Sequence, residues 1–99
     1  MTRQVVFRPQ AEEEFAEAQA WYESRSPGLG QQFVTCVQAT VETVRRVPEQ
    51  LPRAEGEVRR ALVRRFPYAV LYLVDPESIA VVAVFHTSRD PATWRGRVR

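Results

Sequence analysis

Two apolar runs in the second half of the sequence constrain the fold more than any other feature. Residues 68–74 and 79–85 are apolar throughout, and the segment Asp75-Pro76-Glu77-Ser78 between them has the composition of a turn. Both alternating faces of each run are apolar, so a strand formed there requires cover on both sides. The two runs therefore predict a β-hairpin that is buried on both faces.

Two amphipathic helices are predicted before this hairpin. In residues 9–25, Ala11, Phe15, Ala18 and Tyr22 recur at helical spacing, and the acidic residues Glu12 to Glu14 favour a helix start and a solvated face. Residues 29–47 carry a second apolar stripe that ends at Pro48. The breaker at residues 26–28 is so short that the two helices must pack antiparallel.

The remaining segments complete the predicted order β-α-α-β-β-β, an α+β fold in one domain spanning residues 1–99. Residues 3–8 and 59–66 are predicted strands, residues 48–57 a loop, and residues 87–99 a short helical or irregular tail. A helical hairpin can cover one face of the sheet. The other face is then covered either by the tail or by a partner protein.

Several classes of function are excluded by what the sequence lacks. A single cysteine, Cys36, excludes an internal disulfide and a cysteine-rich metal site, and its apolar neighbours indicate a core thiol. The sequence has no Walker loop, no Rossmann glycine fingerprint and no zinc-ligand spacing, so we expect neither cofactor nor metal. Its apolar stretches are too short to span a membrane, and it has no signal peptide, which predicts a cytoplasmic protein.

The charge is unevenly distributed. Residues 1–44 hold three arginines and six acidic residues, a net charge of −3, whereas residues 45–99 hold eleven arginines and six acidic residues, a net charge of +5. The basic half predicts an anionic partner, either nucleic acid or an acidic protein segment, and a merely solvated surface is the alternative. The predicted target contacts are Arg59, Arg60, Arg64, Arg65, Arg89, Trp94, Arg95 and Arg97. Trp94 could instead anchor the tail onto the domain.

The only histidine is the main candidate for acid–base chemistry. His86 ends the last predicted strand, and a histidine titrates near neutral pH. It could equally fix the following turn by a hydrogen bond to Asp90 or to the backbone. If the chain cleaves RNA, Arg65 or Arg89 would stabilise the phosphate charge, and His86 or Tyr68 would move the proton. Tyr68 is otherwise a packing residue.

Several short motifs, in their order along the chain, resemble the RelE/ParE superfamily of toxins from type II toxin-antitoxin modules. They are Phe7-Arg8-Pro9-Gln10-Ala11, Trp21-Tyr22-Glu23, Pro27-Gly28-Leu29-Gly30 with Phe33, Arg59-Arg60, Phe66-Pro67-Tyr68 with Val70 and Tyr72, and His86 with Arg89-Asp90-Pro91 and Trp94. The resemblance implies a small, mainly antiparallel sheet with a helical hairpin packed on one face.

The resemblance also implies an antitoxin that wraps the toxin, in a toxin-antitoxin hetero-oligomer. Two adjacent aromatic residues, Trp21 and Tyr22, are more than one apolar stripe of a helix needs. Together with Tyr72 they are the predicted antitoxin contacts. RelE-like members of the superfamily cut mRNA on the ribosome with basic residues and a tyrosine or histidine. ParE-like members lack that set and poison DNA gyrase. The Phe66-Pro67-Tyr68 motif and the long tail after His86 favour the ParE side, and ribosome-dependent mRNA cleavage is the alternative.

Overall fold

The computed structural model describes residues 3–98. Strand β1 (Gln4–Phe7) leads into helices α1 (Pro9–Arg25) and α2 (Leu29–Arg46), which are followed by strands β2 (Arg53–Glu55), β3 (Val58–Leu62), β4 (Tyr68–Val74) and β5 (Ser78–His86). A short helix α3 (Ala92–Arg95) and a 3-10 turn (Gly96–Val98) form the tail. Within this part of the chain, no helix has the length and apolar composition needed to cross a membrane.

The strands form one mainly antiparallel sheet in the order β1-β5-β4-β3-β2. Strand β1 runs parallel to β5, whereas the other neighbouring strands are antiparallel. The predicted α+β fold is confirmed, with two differences. A three-residue strand, β2, lies inside the predicted loop, because so short a segment has no readable period. Strand β3 ends at Leu62 instead of Phe66, and Arg65 in the following turn has a φ of 72°, which interrupts an extended chain.

The helical hairpin covers one face of the sheet. Helix α2 contributes Phe33, Val37 and Val44 to the core beneath it, and all three side chains are fully buried. The connection is fixed by Glu23, whose carboxylate accepts hydrogen bonds from the backbone N–H groups of Gly28 and Gly30 at the start of α2. These acceptors satisfy donors that a helix N-terminus leaves free.

Glycine is required at two positions of this connection, for a different structural reason at each. Gly28 has a φ of 88°, a left-handed conformation that glycine adopts without strain. A Cβ on Gly30 would lie 2.8 Å from the carbonyl oxygen of Gln19, so glycine lets α2 approach α1 closely. The motifs around Glu23 and Gly28 that carried the family resemblance therefore build the helical hairpin.

The tail covers the second face of the sheet. Trp94 is 4% exposed and packs on Phe85, with ring centroids 6.5 Å apart. Beneath it lies a second buried cluster of Val58, Ala69, Leu71, Val82, Ala83 and Phe85. Of the two sources of cover that the sequence left open, the chain's own tail thus buries much of this face. Leu62, in β3, remains 63% exposed.

Candidate target-binding end of the sheet

Two turns meet at one end of the sheet. Residues 63–67 connect β3 to β4, and residues 87–91 connect β5 to the tail. Strands β4 and β5 are antiparallel, and Tyr68 lies opposite His86, so the two turns are neighbours. The backbone N–H of Thr87 donates a hydrogen bond of 2.8 Å to the carbonyl oxygen of Pro67, and its hydroxyl donates to the same oxygen at 3.2 Å. These bonds hold the two turns together.

Three exposed arginines lie on these turns, and we call them the arginine end: Arg64, Arg65 and Arg89. Among residues 3–98 none of the three forms an ion pair. The turn that carries Arg64 and Arg65 is anchored from below by aromatic packing. Phe66 contacts Tyr22 edge to face, with ring centroids 4.8 Å apart. The arginine end is therefore a cationic surface on a rigid support.

Arg65 occupies a strained backbone conformation. Its φ of 72° lies in the left-handed region, which costs a residue with a Cβ about 1–2 kcal/mol. Glycine would fit this conformation without that strain. Strain of this kind concentrates at functional positions. It supports a role for the Arg65 side chain in a contact outside the chain.

Three other predicted target contacts are engaged within the protein. Arg59 donates a hydrogen bond of 2.6 Å to the carbonyl oxygen of Leu51, and Arg95 pairs with Glu55 at 2.7 Å. Arg97 pairs with Glu14, as described below. These arginines hold a loop and the tail in place. Arg60 is exposed and lines a groove between α2 and β3.

Trp94 was also predicted as a target contact, and the structure contradicts this prediction. Its ring is 4% exposed and covers the second face of the sheet, so it anchors the tail and offers no free surface on which a base could stack. This was the alternative role that the sequence allowed. The indole N–H has no hydrogen-bond partner within residues 3–98.

The Glu14–Arg97 pair closes an open edge of the sheet. Strand β1 pairs with β5 only as far as Val81, so the following residues of β5 have no neighbouring strand on that side. The Glu14 carboxylate accepts a hydrogen bond of 3.1 Å from the Val84 N–H, and the Arg97 guanidinium donates one of 3.1 Å to the Val82 carbonyl oxygen. The two side chains also form two hydrogen bonds with each other, at 2.9 and 3.0 Å.

The sequence gave no indication of this pair, and it assigned Glu14 to a solvated face. Glu14 and Arg97 are 83 positions apart, and their side chains are 22% and 17% exposed. Hydrogen bonding to Glu14 raises the pKa of Arg97, which burial alone would lower. Both charges are thus stabilised where water is largely excluded. The pair attaches the tail to α1 and to β5.

A cleft between α1 and the end of β5 contains three of the four candidate catalytic residues. Tyr68 and His86 are in edge-to-face contact, with ring centroids 5.1 Å apart, and Arg89 lines the same cleft. Arg65, the fourth, does not line it and belongs to the groove beside α2. The His86 ring accepts a hydrogen bond from the Ser88 N–H at Nδ1, which places the proton of the neutral ring on Nε2. His86 therefore fixes its turn through the backbone, and Asp90 instead accepts from the Ala92 N–H.

The charge of this cleft does not suit a phosphate. Its ionisable lining includes three carboxylates, from Glu13, Glu14 and Glu17, against the guanidinium groups of Arg89 and Arg97. Burial raises the pKa of Tyr68, and the nearby Arg89 opposes this only in part. The Tyr68 phenol thus stays protonated at neutral pH and cannot serve as the base. The groups that could transfer a proton lie where carboxylates outnumber arginines.

The three predicted antitoxin contacts have different environments. Trp21 is 52% exposed, and the Arg25 guanidinium lies 4.6 Å from the centre of its ring. Tyr22 is half-buried, and its ring packs against Phe33. Tyr72 is fully buried, and its hydroxyl donates a hydrogen bond of 2.8 Å to the carbonyl oxygen of Pro48. The prediction for Tyr72 is wrong, because a partner could reach it only by opening the core.

Comparison with known proteins identifies the family. A family model described as "ParE toxin of type II toxin-antitoxin system, parDE" matches residues 5–91. The chain belongs to the ParE toxin family. The predicted membership of the RelE/ParE superfamily, on the ParE side, is thus confirmed. None of the curated proteins compared with this ParE toxin matches it.

The fold agrees with this family. A solved structure titled "Chromosomal ParDE TA system from P. aeruginosa" has a TM-score of 0.64 to the ParE toxin described here, with 15% sequence identity. The match covers 87% of this chain and 97% of the other. At such low identity, the likeness shows the fold alone. Membership of a toxin-antitoxin family implies an antitoxin as the partner of this ParE toxin.

Proposed function

We propose that this toxin poisons DNA gyrase by binding to it and catalyses no reaction of its own. The supporting observation is that two of the three residues of the arginine end, Arg64 and Arg65, lie apart from the proton-transfer groups, and only Arg89 shares their cleft. Arg64 and Arg65 have no histidine, tyrosine or carboxylate among the groups that line their groove, whereas His86 and Tyr68 share their cleft with more carboxylates than arginines. RNA cleavage needs both functions around a single phosphate. A binding surface needs only the exposed arginines.

The test of this proposal is a supercoiling assay with purified gyrase and free toxin. We expect supercoiling to fall and cleaved DNA–gyrase complexes to accumulate as toxin is added. Bulk mRNA from cells that express the toxin should stay intact. Unchanged supercoiling at saturating toxin would refute gyrase poisoning.

A ribosome-dependent endoribonuclease is the second candidate, because Tyr68, His86 and Arg89 do meet in one cleft. Tyr68→Phe separates the two functions, because it removes a proton-transfer group and keeps the aromatic ring that packs on Phe33. We expect growth arrest and gyrase inhibition to stay within about two-fold of wild type, since the Tyr68 hydroxyl does not belong to the arginine end. A ribonuclease would instead lose on the order of 100-fold or more in mRNA cleavage.

We propose further that the antitoxin silences the toxin by binding to it, with Trp21 and Tyr22 among the contacts. A large aromatic side chain that is half exposed on a monomer is a typical anchor for a partner. Trp21→Ala should weaken the antitoxin complex by roughly 30-fold, about 2 kcal/mol. Calorimetric titration measures this effect. Gln19→Ala, an exposed change on the same helix, serves as the control, and equal affinities for the two variants would contradict a role for Trp21.

A further inference from the structure

We propose that the arginine end, together with Arg60, binds DNA and contacts the phosphate backbone of the duplex that gyrase holds. This inference rests on the proposed poisoning of gyrase. It adds which component of the gyrase–DNA complex the toxin touches. The observations that carry it are four unpaired arginines on one surface, a groove lined by arginines without carboxylates, and the lack of an aromatic anchor among them.

Unpaired arginines gather at this surface. Arg64, Arg65 and Arg89 lie on the two joined turns, and Arg60 lies on β3. All four are exposed, and none forms an ion pair within residues 3–98. The arginines of α3 and of the 3-10 turn, by contrast, pair with glutamates. The fold thus leaves the charge of the four arginines free for an anion outside the chain.

The groove beside α2 has a purely positive charged lining. Its charged residues are Arg60, Arg64 and Arg65, and no carboxylate lies among its lining residues. Asp90, which follows Arg89 in the sequence, uses its carboxylate to accept a hydrogen bond of 2.9 Å from the Ala92 N–H. Several like charges on one surface reinforce each other's potential, which favours a polyanion over a single carboxylate.

The spacing of the arginines suits a row of phosphates. Arg60 and Arg64 are four positions apart, which corresponds to about 13 Å along an extended chain. One strand of DNA carries a phosphate about every 3.4 Å along the helix axis, so this distance spans about four phosphates. The planar fork of N–H groups on arginine fits phosphate oxygens well.

The strained turn brings two of these arginines to one side. Consecutive residues of a strand face opposite sides, yet Arg64 and Arg65 are both exposed and line the same groove. The left-handed backbone of Arg65 ends the alternation of the strand at this point. The strain is therefore explained by a contact that uses both guanidinium groups.

A protein partner is less suited to this surface than DNA. Protein interfaces are centred on aromatic or large apolar anchors that become buried. The aromatic ring on the turn, that of Phe66, packs inward on Tyr22 and Phe33. Among residues 3–98, Leu62 is the one large apolar side chain beside these arginines that is mostly exposed. Charge without an aromatic anchor fits a phosphate backbone.

The side chains that read adenine are missing from this surface. The chain contains no asparagine, and all of its glutamines precede β2. Asparagine and glutamine are the residues that recognise adenine through two hydrogen bonds. Contacts with phosphates position a protein on DNA and carry no sequence information. We therefore expect affinity for duplex DNA that does not depend on its sequence.

Fluorescence anisotropy with a labelled duplex of about 30 base pairs and free toxin, without gyrase, tests the inference. Each neutralised phosphate adds about 0.9 to the slope of log affinity against log salt concentration. Four arginine contacts predict that affinity falls about 150-fold between about 50 and 200 mM salt, and Arg64→Ala should reduce this fall to about 40-fold. Arg46→Ala removes the same charge from an exposed position of α2 outside the groove, and the fall should stay at about 150-fold.

Two results of this titration would overturn DNA as the partner. One is the absence of binding at about 50 mM salt, and the other is an equal salt dependence for the Arg64 and Arg46 variants. A second duplex of unrelated sequence should bind within about three-fold of the first. A strong preference between the two duplexes would contradict backbone recognition.

Photo-crosslinking in the complete complex of gyrase, DNA and toxin supplies a second readout. Benzoylphenylalanine in place of Ser88, an exposed residue next to Arg89, should crosslink to DNA. The same group in place of Gln38, which is exposed on α2 and does not line the groove, should not. Crosslinks from position 88 to a gyrase subunit alone would overturn the DNA contact and leave gyrase poisoning intact. A toxin that binds DNA as expected but leaves supercoiling unchanged would support the contact and refute gyrase poisoning.

Discussion

Replacing Arg64, Arg65 and Arg89 together with alanine is expected to abolish gyrase inhibition while the protein stays folded. These side chains are exposed and unpaired within residues 3–98, so their removal leaves no internal partner unsatisfied. A hydrogen bond from a charged group contributes about 1.5–3 kcal/mol. Losing three such contacts predicts a rise of at least about 1,000-fold in the toxin concentration that half-inhibits supercoiling.

A variant with the same loss of charge elsewhere gives the control. Arg8, Arg46 and Arg53 are exposed and lie away from the arginine end, so their joint replacement by alanine should change half-inhibition by less than about three-fold. Circular dichroism and melting curves compare the two triple variants with wild type. If both triple variants lose inhibition to the same extent, overall charge governs the toxin's action; if both inhibit gyrase as well as wild type, the arginine end has no role.

Glu14→Ala is expected to destabilise the fold more than any change at the arginine end. The substitution removes the acceptor of the Val84 N–H and leaves the Arg97 guanidinium, which is 17% exposed, without its counter-charge. Breaking a buried ion pair from one side costs about 3–5 kcal/mol, and the residual exposure here lowers the expected value to about 2–4 kcal/mol. For a domain of this size, the melting temperature should fall by roughly 10–25 °C.

The neighbouring Glu13 provides a matched control for this prediction. Glu13 is exposed on the same helix and forms no ion pair within residues 3–98, so Glu13→Ala should shift the melting temperature by less than about 3 °C. Combining Glu14→Ala with Arg97→Ala should cost less than the sum of the two single changes, because the second change removes the unpaired charge. Additive effects in this double-mutant cycle, or a melting temperature for Glu14→Ala close to wild type, would show that the pair does not hold the tail.

The positions of the site residues followed from the sequence only where local patterns set them. Tyr68 and His86 were expected to flank a hairpin, and the observed register places them opposite each other. Arg64, Arg65 and Arg89 were predicted target contacts. Nothing local distinguished them from Arg59, Arg95 and Arg97, which the fold uses internally. Exposure and pairing depend on partners that are distant in sequence, so a list of arginines could not be sorted without the structure.

Two aromatic residues were predicted from the sequence as contacts for a partner, and the structure places both in the interior. Tyr72 was predicted to face an antitoxin, yet its side chain is buried and its hydroxyl donates a hydrogen bond to the carbonyl oxygen of Pro48. Trp94 was predicted to contact a target, although the alternative of a tail anchor was open and is the one observed. An aromatic side chain with a polar group suits an interface and a core equally well. Its place is decided by what the rest of the chain packs against it.

The two apolar runs at residues 68–74 and 79–85 determined the central hairpin, because every second residue along a strand faces the same side, and a strand that is apolar on both sides needs cover on both. The helical periods likewise determined α1 and α2. Only the tertiary structure decided what supplies that cover: the helical hairpin on one face and the tail, with Trp94, on the other. It also decided that the free edge of β5 is closed by Glu14 and Arg97. The physical reason is how far apart in the sequence the interacting residues lie. Periodicity is set by neighbouring residues, whereas cover and edge pairing depend on contacts between residues far apart in the chain.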